Sequence, residues 1–269
     1  MLPASLIFLT YGTLADITNP CQGNVVITAD SIKRISTCQS FLGNLILDGR
    51  VSPMFVSMKH LTTLQGDLVL YNYPGSFHAY PAIHRTLKII NQTFNSFPLH
   101  GVEDVSSLYI ENSFGEVDFK GLKVADSIEI KDSYLTSVVG LIGRRMETIA
   151  VTNCTRLRKL SIDGLQEVTD VKISNTALTS FDFLQGVSIE NELFIEKYKF
   201  LELFIEAKEI DGGVTLANNQ LLQHIYFAAL EELDAPLVTN NNPELRFIQF
   251  LDKVKNIKPC LRRSLTYSN

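Results

Sequence analysis

Two acidic side chains in the middle of the chain, Glu111 and Glu129, are the best candidates for catalysis. They fall in adjacent copies of a short repeat, offset by two positions. If the copies stack as neighbouring strands, this offset places the carboxyl groups about 8 Å apart. Such a separation suits an inverting glycosidase. Lys131 lies beside Glu111, and Lys88 lies two copies from Glu129, so a cross-strand charge ladder accounts for the same residues. We therefore predict a protein that is not an enzyme and has no catalytic residues.

The five histidines suggest no metal site. They fall outside the predicted strands and share no ligand spacing, at His60, His78, His84, His100 and His224. The chain also contains no Gly-x-Ser-x-Gly, phosphate-loop or Cys-x-x-Cys motif. The sequence thus predicts neither a bound metal nor a cofactor.

A repeat of about 21 residues must position all of these side chains. Its copies begin at Gly23, Gly43, Gly66, Arg85, Ser106, Asp126, Glu147, Thr169, Asn191, Gly212 and Ala235. Positions three and five of nearly every copy are branched and apolar, as at Leu108 and Ile110, and this alternation is typical of a strand with one buried face. A second apolar pair follows in most copies, as at Leu135 and Val138. Each unit is too small to bury its apolar face alone, so neighbouring copies must stack. We predict a mainly all-β, right-handed parallel β-solenoid of about eleven coils, with a short helical N-terminal cap over Asp30–Thr37.

Position seven is usually asparagine. The residues there are Asn72, Asn91, Asn112, Asp132, Asn153, Asn175, Asn218 and Asn241. If alternation continues, these side chains point inward with positions three and five and form a buried asparagine ladder. The glycosylation sequons Asn91-Gln-Thr93 and Asn153-Cys-Thr155 conflict with that interpretation, because a glycan needs an exposed asparagine. We predict burial for Asn153 and leave both alternatives open for Asn91.

Positions four and six face outward and supply a candidate binding face. Its residues are Val69, Tyr71, Lys88, Ile90, Tyr109, Glu111, Glu129 and Lys131. The outward sheet is more apolar than solubility requires, because it carries Val26, Ile46, Val69, Tyr71, Ile90 and Tyr109. This favours a partner such as a sugar stacked on Tyr71 or Tyr109, or a second protein. Two alternatives are that a loop or helix covers the face, or that β-branched residues merely suit strands.

Composition and charge limit the classes of partner. The net charge of −5 and pI near 5.6 argue against nucleic acid. A basic cluster near the C-terminus, from Lys253 to Arg263, is interpreted as a solvated cap. The repeat continues without a linker to about residue 257, so we predict one domain over residues 16–269.

The N-terminus and the cysteines predict an extracellular location. Residues 1–15 form an apolar segment with a small-x-small end, typical of a signal peptide, and shorter than the roughly 20 residues of a membrane span. We predict that Cys21 and Cys38 form a disulfide that stabilises the first coil by roughly 3 kcal/mol, and that Cys154 is a buried free thiol. The predicted location is secreted.

Several of these motifs together resemble the receptor L-domain-like repeats of fungal cell-wall and spore-wall glycoproteins. They are the early cysteine pair, the Gly-x-Leu-x-Leu strands at 43–47 and 66–70, and the stretch Leu233–Ile248 with its Asn-Asn-Asn-Pro turn. The resemblance covers about residues 21 to 257 and implies a secreted, non-enzymatic protein of the wall, with wall polysaccharide or wall proteins as partners. The chain ends in a short polar run, so a glycolipid anchor is not expected. Alternatives are an extracellular receptor-like ligand-binding module and, less favoured, a polysaccharide-active β-helix enzyme.

Overall fold

The computed structural model describes residues 19–94, 98–233 and 236–250, together with the backbone of residues 256–257 and 262–264. The predicted signal segment, Cys260 and the side chains of the basic C-terminal cluster lie outside the described residues. Within them the chain winds into a parallel β-solenoid of about eleven coils, which confirms the predicted fold class.

The first wall of the solenoid is one long parallel sheet. Its strands are Val25–Val26, Leu45–Asp48, Leu68–Tyr71, Ala82–Ile90, Asp104–Glu111, Phe114–Lys131, Arg145–Thr152, Glu167–Ser174, Ser188–Glu196, Val214–Ala217, Leu237–Asn240 and Arg262–Ser264. Position three of each copy pairs with position three of the next, from Val25 with Leu45 through Val214 with Leu237. The repeat frame therefore gives the strand register directly. The strand Arg262–Ser264 continues the sheet past the predicted end of the repeat, by pairing with residues 238–240.

Shorter strands form two further walls. The second wall contains Phe55–Met58, Ser76–Ala79, Thr93–Phe94, Leu99–His100, Tyr134–Ile142, Lys159–Asp163, Glu202–Ile205, His224–Phe227, Phe247–Phe250 and the first part of Phe114–Lys131. The third contains Ser40–Leu42, Thr63–Gln65, Glu209–Ile210, Glu232–Leu233 and Asn256–Ile257, with the first residues of several long strands. Residues 123–124 of Phe114–Lys131 and the last residues of Tyr134–Ile142 and Lys159–Asp163 also belong to it. One 3₁₀ turn, Asp182–Leu184, replaces a strand of the second wall.

The core is a continuous column of aliphatic and aromatic side chains between the walls. Leu108 and Ile110 are almost completely buried, as are Leu135 and Val138 of the predicted second apolar pair. Each coil contributes a thin layer, and only the layers above and below it complete the burial.

A helix and a disulfide close the first coil. The helix Ala29–Ile35 begins at Thr28, whose hydroxyl accepts a hydrogen bond from the backbone N–H of Ser31 while the Ser31 hydroxyl accepts one from Thr28. Cys21 and Cys38 form a disulfide with their Cα atoms 5.7 Å apart. Both features agree with the sequence prediction.

Glycine at position one is required by close contact between coils. A Cβ atom on Gly43 would lie 2.2 Å from the carbonyl oxygen of Gly23, and one on Gly66 would lie 1.9 Å from that of Gly43. Real side chains do not fit at these distances, so the early coils use glycine where their strands begin.

Candidate binding face on the first wall

The strand register brings all eight predicted face residues together. In position four, Val69, Lys88, Tyr109 and Glu129 are successive neighbours across four strands. In position six, Tyr71, Ile90, Glu111 and Lys131 are successive neighbours in the same way. Two parallel rows thus form one patch, which we call the binding face. All of its side chains are half-buried except Glu129, which is exposed.

The polar half of the binding face is a connected network. The hydroxyl of Tyr109 donates a hydrogen bond of 2.8 Å to Glu111. The ammonium group of Lys131 lies 4.9 Å from the centre of the Tyr109 ring and 3.9 Å from a carboxylate oxygen of Glu129. Hydrogen bonding to Tyr109 raises the pKa of Lys131, and burial raises the pKa of Tyr109. Lys131 therefore stays charged and stabilises both neighbouring carboxylates.

The apolar half is bordered by ion pairs that the sequence did not predict. Lys88 forms a salt bridge of 2.6 Å with Asp67, a position-two residue that is almost buried. Next to Tyr71, Asp48 binds the guanidinium group of Arg50, and this hydrogen bond lowers the pKa of Asp48. In the sequence, these ion pairs are indicated only by an aspartate, Asp48 or Asp67, within a repeat copy that is otherwise largely apolar.

The candidate catalytic carboxylates, Glu111 and Glu129, belong to this network. Lys131 is the direct strand neighbour of Glu111, and Tyr109 is that of Glu129. Within its own strand, Glu111 accepts a hydrogen bond from Tyr109 and Glu129 pairs with Lys131. Of the predicted cross-strand charge ladder, the register shows Lys131 beside Glu111.

The predicted burial of the asparagine ladder is wrong. Asn153 is exposed and Asn91 is half-buried. The position-seven residues adopt left-handed backbone conformations, with φ between 45° and 57°. This conformation interrupts the strand alternation, and asparagine tolerates it better than most residues. The ladder itself exists, but on the surface: Asn112 donates to Asn91, Asn153 to Asp132, Asn175 to Asn153, and Asn241 to Asn218.

The residue after the asparagine takes the inward position instead. The side chains there are buried from the third to the tenth coil, at Tyr73, Gln92, Ser113, Ser133, Cys154, Thr176, Tyr198 and Asn219. The backbone N–H of Gln92 donates to the Ser113 hydroxyl, and that of Ser113 donates to the Ser133 hydroxyl. A second, internal ladder thus connects the coils, and sequence reasoning missed it by one position. Cys154 belongs to this ladder as a buried free thiol, as predicted.

The histidines were also placed wrongly. Four of them lie in strands: His78 in Ser76–Ala79, His84 in Ala82–Ile90, His100 in Leu99–His100 and His224 in His224–Phe227. Rings on the second wall stack across coils. The Phe204 and Tyr226 rings are 4.7 Å apart and the His224 and Phe247 rings are 5.4 Å apart. The two rings of each stack are register partners on adjacent coils. The sequence indicated these stacks only through aromatic residues placed one repeat apart.

Comparison with known proteins gives one distant likeness. The chain resembles sporulation-specific protein 2 of Saccharomyces cerevisiae. The two are 19% identical over 250 residues, which cover 82% of this chain and 50% of that protein. The chain therefore spans about half the length of this relative.

No family model and no solved structure matches the chain. Among the described residues, no helix is long and apolar enough to cross a membrane.

Proposed function

We propose that this chain is a secreted, non-enzymatic structural or binding protein that takes part in organising a spore wall or cell wall. Its binding face holds a wall polysaccharide or another wall protein. The observation that carries the proposal is the register, which assembles the eight outward residues from Val69 to Lys131 into one patch across four strands.

The distant relative supports a spore-related role. Its name describes a sporulation-specific protein, and it aligns with most of this chain. The parallel solenoid is also compatible with the receptor L-domain-like repeats that the sequence resembles. The Cys21–Cys38 disulfide is typical of proteins in oxidising compartments and supports secretion.

The chemistry of the face supports binding to a ligand with both apolar and hydroxyl groups. Val69 and Ile90 provide apolar contact, while Tyr109 and Glu111 provide a donor and acceptors beside them. The Lys131 ammonium group lies over the ring of Tyr109, so a sugar would contact the phenol oxygen and the edge of the ring before its face. Pyranose rings have both C–H faces and hydroxyl groups. A partner protein can present the same combination through its apolar and polar side chains.

The absence of catalysis remains part of the proposal. It is supported by the engagement of Glu111 with Tyr109 and of Glu129 with Lys131, since a general acid and a general base need groups free to exchange protons with substrate.

Retention of the purified protein on isolated glucan, chitin and mannoprotein fractions of the wall tests the proposal. We expect selective retention by one fraction, and we expect the Tyr71→Ser, Tyr109→Ser double variant to lose most of it. Tyr134→Ser is the matched control, because Tyr134 is an exposed tyrosine on the second wall. If the wild type binds none of the fractions, the receptor-like alternative is favoured over a wall role.

A hydrolysis assay on the same fractions separates binding from catalysis. We expect no release of soluble sugar by the wild type. If sugar is released and Glu111→Gln abolishes that release while the tyrosine double variant keeps it, the enzyme alternative is correct.

A further inference from the structure

Two histidine side chains stack on the second wall, away from the binding face. The strands Ser76–Ala79 and Leu99–His100 are parallel neighbours, and their register pairs His78 with His100. The centres of the two imidazole rings are 4.3 Å apart, and the ring planes are inclined by 23°. Both rings therefore project from the same side of one small sheet, one coil apart.

The pair is accessible and otherwise unengaged. His100 is exposed and His78 is half-buried. Phe55, on the preceding strand, contacts the His78 ring at a centroid distance of 4.9 Å and limits its rotation. Within the described part of the chain, no hydrogen bond or ion pair involves either imidazole, so their ring nitrogens are free to bind a ligand.

We propose that His78 and His100 together form a binding site for a divalent transition-metal ion of the Cu²⁺ or Zn²⁺ class. Imidazole nitrogen is a preferred ligand of these ions. Two nitrogens bound to one ion at about 2.0–2.1 Å lie roughly 3 Å apart. The centres of these stacked rings are 4.3 Å apart, so both side chains must rotate about χ1 and χ2 to turn one nitrogen of each ring towards a shared ion.

The protein supplies two ligands to this site. The described residues contain no group of three or more His, Cys, Asp or Glu side chains placed to hold a metal ion. We expect water molecules to complete the coordination, as suits a site on an open surface. Among divalent ions, Cu²⁺ is bound most tightly by nitrogen ligands, so it is the strongest probe.

Nearby charge affects the affinity in a predictable direction. Lys120 is close enough to His100 to interact with it electrostatically. Its positive charge repels a bound cation. Lys120 has a left-handed backbone, with φ of 54°, so asparagine can replace it without strain. Lys120→Asn is therefore expected to tighten metal binding by about twofold.

Titration of the full chain with Cu²⁺, followed by calorimetry and electron paramagnetic resonance, tests the site. We expect one ion bound with two nitrogen donors. His78→Gln and His100→Gln should each weaken binding by about tenfold or more, because the remaining imidazole loses the chelate effect. His60→Gln is the matched control and should bind as the wild type does. Unfolding curves without metal confirm that each variant is folded.

The contrary interpretation is that the two rings stack only to stabilise the small sheet. In that case both His78 and His100 variants would lower the unfolding midpoint but leave Cu²⁺ affinity and the nitrogen signature unchanged. That result, or equal weakening by the His60 variant, would overturn the proposal. Retained two-nitrogen binding in His100→Gln would overturn it as well.

Discussion

The side-chain amide of Asn153 donates a 2.9 Å hydrogen bond to Asp132, one coil earlier, on the surface of the solenoid. Its own oxygen accepts a 3.2 Å hydrogen bond from Asn175. Its φ of 55° is left-handed, and asparagine tolerates this conformation better than most residues. The backbone conformation of the turn, and not the burial of a polar side chain, therefore explains why asparagine suits this position.

Substitutions at Asn153 should reveal this conformational requirement. Asn153→Gly should change the free energy of unfolding by no more than about 1 kcal/mol, because glycine adopts positive φ freely. Asn153→Ala should be about 1–2 kcal/mol less stable than the glycine variant. Urea unfolding of protein made without glycosylation measures both values.

Asn191 provides the matched control for that experiment. It makes a similar surface hydrogen bond, 2.7 Å to Asp170, but lies within a strand and does not have positive φ. At this site the order of stability of the two variants should reverse. Asn191→Gly should be less stable than Asn191→Ala, because glycine within a strand loses more backbone entropy on folding. The same order at both sites would contradict our explanation.

Both sequons should carry glycans when the chain passes through a eukaryotic secretory pathway. Thr93 and Thr155 are exposed, Asn153 is exposed and Asn91 is half-buried. A glycan replaces one of the two amide hydrogens, so Asn153 can keep its bond to Asp132. Enzymatic removal of N-glycans should lower the mass, and Thr93→Ala and Thr155→Ala should each remove one glycan. A secreted protein whose mass does not change would refute this expectation.

Internal ladder residues should matter far more to stability than their surface neighbours. Asn219 is fully buried, accepts a 2.8 Å hydrogen bond from the backbone N–H of Tyr198 and donates to the carbonyl of Ile195. Asn219→Ala leaves both groups unpaired and should cost about 2–4 kcal/mol. Asn218→Gly, at the adjacent surface turn with φ of 57°, should cost about 1 kcal/mol or less. Equal costs in urea unfolding would refute the distinction.

The sequence predicted the first wall because the physical signal there is strong and repeated. Branched apolar residues at positions three and five have one arrangement that buries them all, and aligning the copies gives the observed pairing of Leu108 with Ile128. All eight residues of the binding face follow from that register, since outward positions are fixed once inward ones are known.

The turn after each strand could not be predicted by extending the same alternation. A single residue with positive φ rotates the following side chain inward, so Ser113 is buried and Asn112 is exposed. The identity of the residue was the clue, because asparagine is favoured in that conformation. The histidine pair was missed for a different reason: strands of the second wall are short, and His78 and His100 show their relation only when placed one coil apart.

Loss of the disulfide should weaken the first coil in particular. Replacing Cys21 and Cys38 by serine should lower the free energy of unfolding by about 3 kcal/mol, because the closed loop restricts the unfolded chain. Hydrogen exchange should show lost protection over the helix Ala29–Ile35 before the central coils are affected. An unchanged urea midpoint would show that the bond does not stabilise the fold.

The buried thiol of Cys154 should make the protein sensitive to alkali. Burial raises the pKa of Cys154 from 9.0 to about 11. Above pH 9 the unfolded chain releases this proton while the folded chain retains it, so the free energy of unfolding falls as pH rises. The loss should reach about 1 kcal/mol at pH 10 and about 2–3 kcal/mol by pH 11.

Cys154→Ser isolates this effect, because the equivalent positions of the two preceding coils are Ser113 and Ser133. The hydroxyl can donate to the carbonyl of Thr152 as the thiol does, so stability at pH 7 should stay within about 1 kcal/mol. Burial also raises the pKa values of Tyr73 and Tyr198 to about 12, but these act above pH 10 and equally in both proteins. The difference between wild type and variant should therefore appear between pH 8 and 10 in urea unfolding. If the free energy of unfolding changes with pH equally in the wild type and in Cys154→Ser over that range, the thiol ionises equally well in the folded and unfolded chains. That result would contradict its burial in the internal ladder.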